Sequence, residues 1–314
     1  MKYRLGLVLL AVAALFAAVC WLLALWRPYL GAAVFIVVFG GVLLFYLLTL
    51  RRVRGQWFDS GGVRIHYTDE GDGEPVILIH GLAVNADINW RVPGVIRMLR
   101  KTHRVIAIDL RGHGLSEHPH DPGRYGVELV EDAVRLMDHL GIEKAHVVGY
   151  SLGGFITLKL LATHPERLRT AVVGGAGWYD ETTPKMSILR ALEASLEQGG
   201  GFAPLIRALE PTPNPSRVKV WLIDAAIAWI CDLWALRALV STMLDLRVTE
   251  DALRANRVPT LVIVGDRDPL VDAARNLDGV MSAARVVYVP GGDHATTMFS
   301  EVFRREIQRQ LREQ

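Results

Sequence analysis

Residues 149–154 read GYSLGG and follow the apolar run AHVV at 145–148. The hydroxyl of Ser151 stands between glycines, where a strand pattern ends and a helical one (153–163) begins. Ser151 is either a turn residue or a nucleophile presented on a sharp strand-to-helix bend. Glycines two residues to either side match G-x-S-x-G, a turn too tight to admit larger side chains at those positions. The pentapeptide alone does not choose between the readings, so the rest of the chain must.

A serine hydroxyl is a poor nucleophile and needs a base with an orienting partner. Two further strand patterns, 260–264 and 285–289, are followed by GDRDPLVD and PGGDHATT. This order predicts His294 as the base that takes and returns the Ser151 proton. Asp268 is predicted to fix the imidazole tautomer and stabilise the imidazolium. Asp266, two residues earlier, and Asp180, past the strand pattern at 170–173, are rivals for the acid. Every candidate falls just beyond the carboxyl end of a strand, the edge where open parallel sheets collect ligands. An oxyanion needs preorganised donors. The backbone N–H of Leu152 is one candidate, and the N–H of Leu82, in the HGLA loop at 80–83, is the other.

Short apolar runs at 63–68, 75–79, 104–108, 145–149, 170–173, 260–264 and 285–289 alternate with helical patterns such as 126–140. Several runs are apolar at nearly every position, as in a parallel sheet covered on both faces. The alternation predicts an α/β fold. Between 178 and 256 no strand pattern appears. Helical periodicity covers 186–196 and 218–246, and GGGFAPLIRALEPTPNPS at 199–216 reads as loop and hinge. This predicts a helical insertion between two strands.

HGLA at 80–83, DLRGHGLS at 109–116, GYSLGG at 149–154, GDRDPLV at 265–271 and GGDH at 291–294 resemble, in order, the motifs of the α/β-hydrolase family. The resemblance covers about residues 57–314 and places the insertion where family lids sit. It implies a mostly parallel sheet of about eight strands, no metal or organic cofactor, and usually ester hydrolysis through an acyl-enzyme. Serine stands where dehalogenases and epoxide hydrolases carry aspartate, which counts against those activities. His80 and His113 then belong to structural turns, and the HPH at 118–120 reads as loop rather than a metal site.

Hydrophobic residues make up 51% of the 314-residue chain, concentrated near its start. Residues 5–26 and 30–50 contain no charged residue, and each is long enough to span about 30 Å of hydrocarbon. A membrane anchor of two transmembrane helices is therefore expected over residues 1–56, ahead of the catalytic domain at 57–314. Basic residues flank the pair, which predicts a multi-pass cell-membrane protein with a cytoplasmic catalytic domain. The rest of the chain holds 29 basic against 33 acidic residues, which argues against a nucleic-acid partner. The two cysteines of the full chain, Cys20 and Cys231, cannot build a disulfide framework.

Tyr150, Trp178, Trp221 and Trp229 are expected to line or close the substrate pocket, and so many aromatics favour an apolar substrate. The expected activity is hydrolysis of lipophilic, acylglycerol-like carboxylic esters, with membrane lipid as a partner. Other serine-triad chemistry remains open: C–C bond hydrolysis of a diketone, thioester or amide cleavage, and acyl transfer. So does a non-catalytic ligand-binding role.

Overall fold

The apolar runs assemble into one sheet. The computed structural model describes residues 55–179, 186–210 and 215–312, with the isolated positions 40 and 212. Its strands are β1 (Gln56–Asp59), β2 (Arg64–Glu70), β3 (Glu74–Ile79), β4 (His103–Ile108), β5 (Ala145–Tyr150), β6 (Leu168–Gly174), β7 (Thr260–Gly265) and β8 (Ala284–Val289). They form an eight-stranded sheet in the order β1-β2-β4-β3-β5-β6-β7-β8. β2 pairs antiparallel with β1 and β4, and all later pairings are parallel. After β3 the chain crosses to one side of it to make β4, then returns to the other to make β5. The carboxyl ends of β3 and β5 therefore border the crevice that such a reversal opens.

Both faces of the sheet are covered, which is why β5 and β7 are buried at every position. On one face, α1 (Val95–Leu99) and α10 (Glu301–Arg312) bring Ile96, Leu99, Phe303 and Ile307 against Leu78 and Val148. On the other, α2 (Glu128–His139), α3 (Leu152–Thr163) and α9 (Val271–Val280) bring Leu129, Ile156 and Leu277 against Ile77, Val147 and Val262. The sequence patterns give no warning of α9, α10 or the edge strand β1. α10 carries few apolar residues, but Phe303, Ile307 and Leu311 recur every fourth position and form one buried stripe.

Between β6 and β7 come α4 (Met186–Glu197), α5 (Ala203–Leu209), α6 (Arg217–Ile230), α7 (Leu233–Val240) and α8 (Glu250–Ala255), with no strand among the described residues. Leu192, Phe202, Ile206, Val220 and Leu236 give these helices a small core of their own. Two details differ from expectation. The apolar run 218–246 is not one helix, because the Asp232 carboxylate accepts from Trp234 N and Ala235 N and starts α7 afresh. The Gly/Pro-rich stretch 199–216 contains α5, with Pro204 in its first turn, where the missing N–H costs nothing.

The expectation of a multi-pass membrane protein is corrected. Among the described residues no helix is long and apolar enough to cross a membrane. Even α6, with 14 residues, reaches only about 21 Å. Residues 5–26 and 30–50, on which the two-helix anchor was read, lie outside the described residues.

Candidate active site

β5 ends at Tyr150 and α3 begins at Leu152, so Ser151 alone makes the turn. It does so with φ 54° and ψ −114°, a left-handed conformation that costs a residue with a side chain about 1–3 kcal/mol. Its N–H donates to Gly174 O at 2.8 Å, which ties the bend to the end of β6. The flanking glycines are steric necessities. A Cβ on Gly149 would stand 2.0 Å from Gly153 O, and one on Gly153 would stand 2.0 Å from Ile79 O.

Three side chains from three strand ends converge. His294, after β8, has Nε2 3.0 Å from Ser151 Oγ. Its Nδ1 lies 2.8 Å from Asp268 Oδ2, after β7. The carboxylate can only accept, so Nδ1 carries the proton and Nε2 is free to accept the Ser151 hydroxyl hydrogen. Asp268 is fully buried, and its other oxygen accepts from Leu270 N at 2.9 Å. Asp266 is exposed, and the carboxylate that meets His294 Nδ1 is that of Asp268. Asp180 lies outside the described residues.

The loop after β3 lies against this relay: a Cβ on Gly81 would be 3.3 Å from Ser151 Cβ. Gly81 N donates to Asn89 Oδ1 at 2.9 Å and Ala83 N to His113 Nε2 at 3.1 Å. Leu82 N–H, between them, has no acceptor among the described residues. Leu152 N–H, the first of α3, has no intrahelical acceptor either. Among the described residues, both donors expected to face an oxyanion are thus unengaged.

Two neutral histidines hold that loop. Leu110 N donates to His80 Nε2 at 2.9 Å, so His80 Nδ1 donates to Gly81 O at 2.7 Å. His113 Nε2 accepts from Ala83, which leaves Nδ1 to donate to Arg111 O at 3.2 Å. Burial pushes the His80 imidazole below its ordinary pKa and that of His113 down to about 3. Asp109 joins both sides of the network, accepting from Ala86 N, His66 Nδ1 and Leu115 N at 2.9–3.0 Å. Burial raises its pKa, but the hydrogen bonds it accepts from His66 and from the Ala86 N–H outweigh this and hold it below the ordinary value. Asn89 and Asp109 escaped the sequence reading: an Asn nine residues past His80 has no signature, and Asp109 reads only as part of a family turn.

The expected pocket aromatics scatter. Tyr150 is 1% exposed, with its hydroxyl donating to His294 O at 2.7 Å. Trp178 is half-buried against the main core, with its indole N–H on Val248 O. Trp221 and Trp229, on α6, are 66% and 42% exposed and enclose nothing by themselves. His118 and His120 face the Asp232 cap of α7 at 3.9 and 3.0 Å. Among the described residues no cluster of three or more His, Cys, Asp or Glu could hold a metal ion. A cleft of about 480 Å³ lies at the opposite edge of the sheet, lined by Lys144, Arg169 and Arg257 among others. Arg257 there caps the carbonyls of Arg254 and Asn256.

Residues 74–214 match the alpha/beta hydrolase fold family. The chain is 38% identical over 159 residues to the 2-hydroxymuconate semialdehyde hydrolase of Pseudomonas sp. (strain CF600), covering 50% of this chain and about half (53%) of that relative's length. It is 30% identical over 228 residues to the 2-hydroxy-6-oxo-6-(2'-aminophenyl)hexa-2,4-dienoic acid hydrolase of Metapseudomonas resinovorans, covering 69% of this chain and 75% of that one. The structure superposes on that of a variant meta-cleavage product hydrolase (CumD) from Pseudomonas fluorescens IP01. The TM-score is 0.66 at 26% identity, over 82% of this chain and 98% of the other. The chain belongs to the alpha/beta hydrolase family. These relatives overturn the expectation of a carboxylic ester hydrolase acting on acylglycerol-like lipids, because the compounds in their names contain no ester.

Proposed function

We propose that this chain is a serine hydrolase that cleaves a carbon–carbon bond in 2-hydroxy-6-oxohexa-2,4-dienoates. Ser151 is the nucleophile, His294 the general base and acid, and Asp268 its orienting partner. The N–H groups of Leu82 and Leu152 receive the oxyanion. The observation that carries the choice of bond is the relative covered over 75% of its length, whose named substrate has no ester, thioester or amide. Water can divide such a molecule only beside its ketone.

The chemistry fits a Ser–His relay. In the keto tautomer the substrate has carbonyls at C2 and C6, a C3=C4 double bond and a CH₂ at C5. Ser151 Oγ adds to C6 as His294 Nε2, 3.0 Å away, takes its proton. The C6 oxyanion turns to the two backbone donors. Its collapse breaks C5–C6, and the electron pair moves through C4 and C3 to the C2 oxygen, which takes up a proton. Water, activated by His294, then releases the acyl group from Ser151. The same sink explains why a serine suffices: the leaving carbon departs as a dienolate, not as a bare carbanion. Serine also disfavours dehalogenation, since its alkylation would give an ether that water does not open.

The test is steady-state kinetics on 2-hydroxymuconate semialdehyde and a 6-aryl analogue, following loss of the dienol absorbance. Turnover with kcat/KM above about 10⁴ M⁻¹s⁻¹ supports the reading. Brisk hydrolysis of p-nitrophenyl acetate with no loss of either dienoate would refute it.

A further inference from the structure

We infer that Tyr150 is a positioning residue for the base: its hydroxyl holds the His294 main chain where the imidazole can reach Ser151. Tyr150 precedes the nucleophile directly, and its hydroxyl donates to the carbonyl oxygen of His294 itself, at 2.7 Å. The two rings stand 5.6 Å apart, tilted by 44°. One rigid side chain therefore links the nucleophile turn to the base loop, which are 143 residues apart in sequence.

The ring has little freedom to do anything else. A Cβ on Gly174 or Gly175 would come within 2.8 Å of it, so those two glycines at the end of β6 make the slot it occupies. Gly175 adopts φ +53° there. Phe303 of α10 packs edge-on to it at 5.7 Å. With the ring clamped between the sheet end and α10, the phenolic oxygen is a fixed point, and the His294 carbonyl is fastened to it. The imidazole is held from its far side by the Asp268 hydrogen bond. The side chain is thus oriented by Asp268 and its backbone by Tyr150. An ordinary core tyrosine would need some acceptor too. Here the acceptor belongs to the residue whose placement sets the 3.0 Å contact with Ser151.

The inference rests on the reading of Ser151 and His294 as nucleophile and base, and the test separates the two. The rate of Ser151 labelling by a fluorophosphonate probe reports activation of the hydroxyl without reference to any substrate. Tyr150→Phe is expected to slow labelling about tenfold, the worth of one hydrogen bond, and to lower kcat rather than raise KM. Incorporation of 4-aminophenylalanine at position 150, which restores an N–H donor on the same ring, is expected to recover labelling to within about threefold of the native rate. Labelling by Tyr150→Phe at the native rate would overturn the inference. Equal slowing by Phe and 4-aminophenylalanine would also overturn it, since ring shape and not the donor would then matter. Should Tyr150→Phe not fold, the 4-aminophenylalanine protein decides: native-rate labelling upholds the inference, and tenfold slowing in a folded protein overturns it. Failure of the unaltered protein to label at all would instead count against the nucleophile reading.

Discussion

Gly149→Ala isolates the geometry on which the site depends. The added methyl would sit 2.0 Å from Gly153 O, 2.3 Å from Gly153 C and 2.3 Å from Thr157 Oγ1. Two of these atoms are backbone, so no rotamer change relieves the overlap. Reaching a van der Waals separation of about 3.4 Å requires β5 and the start of α3 to part by more than ~1 Å. That joint carries both Ser151 and the Leu152 N–H, and the opposing contact of Gly153 with Ile79 O prevents α3 from simply sliding away. A displacement of about 1 Å at reacting groups costs on the order of 10² in rate. Overpacking a close-packed joint costs about 1–3 kcal/mol, or several degrees in Tm for a domain of this size. The assay is fluorophosphonate labelling of Ser151 alongside calorimetric unfolding. Labelling within twofold of the native rate at unchanged Tm would refute the argument that the turn admits nothing but glycine.

Other consequences can be checked separately. Asp268→Asn should leave the fold intact and lower kcat by about 10⁴, because the wrong imidazole tautomer then faces Ser151. Circular dichroism with steady-state kinetics reads both quantities. Asp132→Ala should destabilise the protein by about 3 kcal/mol in urea unfolding, because the fully buried Arg111 guanidinium loses the carboxylate that grips it through both oxygens at 2.7 Å and keeps the more distant Glu128 at 3.5 Å. Stability should also fall as pH drops from about 6.5 towards 3. Buried neutral His113, with its pKa of about 3, takes no proton in the folded state over that range, whereas the unfolded chain does. Urea midpoints across the range should decline more shallowly for His113→Gln than for the native protein.

Much of this site was legible in the chain because its parts are local. Ser151 shows itself by the glycines around it, and Asp268 and His294 by their places just past apolar runs. The N–H donors of Leu82 and Leu152 follow from the same turns. What stayed hidden depends on contacts between distant segments. Tyr150 reads as a pocket aromatic, yet Gly174, Gly175 and Phe303 turn it inward onto His294 O. Trp221 and Trp229 read as pocket walls, yet α6 presents them to solvent. The break at Asp232 leaves no mark in the apolar periodicity of 218–246, because one capping carboxylate makes it. Bond choice was the least legible, because a Ser–His–Asp relay serves esters and diketones alike, and only relatedness favours one.

Cleavage of a carbon–carbon bond by Ser151, as proposed above, is read out by product analysis of a single reaction. Native protein and Ser151→Ala are each incubated with 2-hydroxymuconate semialdehyde, and the products are identified by mass and NMR. One formate and one 2-hydroxypenta-2,4-dienoate are expected per molecule of substrate and water with the native protein, and neither with Ser151→Ala. Intact substrate after incubation with native protein that still labels at Ser151, or the same products from Ser151→Ala at the native rate, would contradict it.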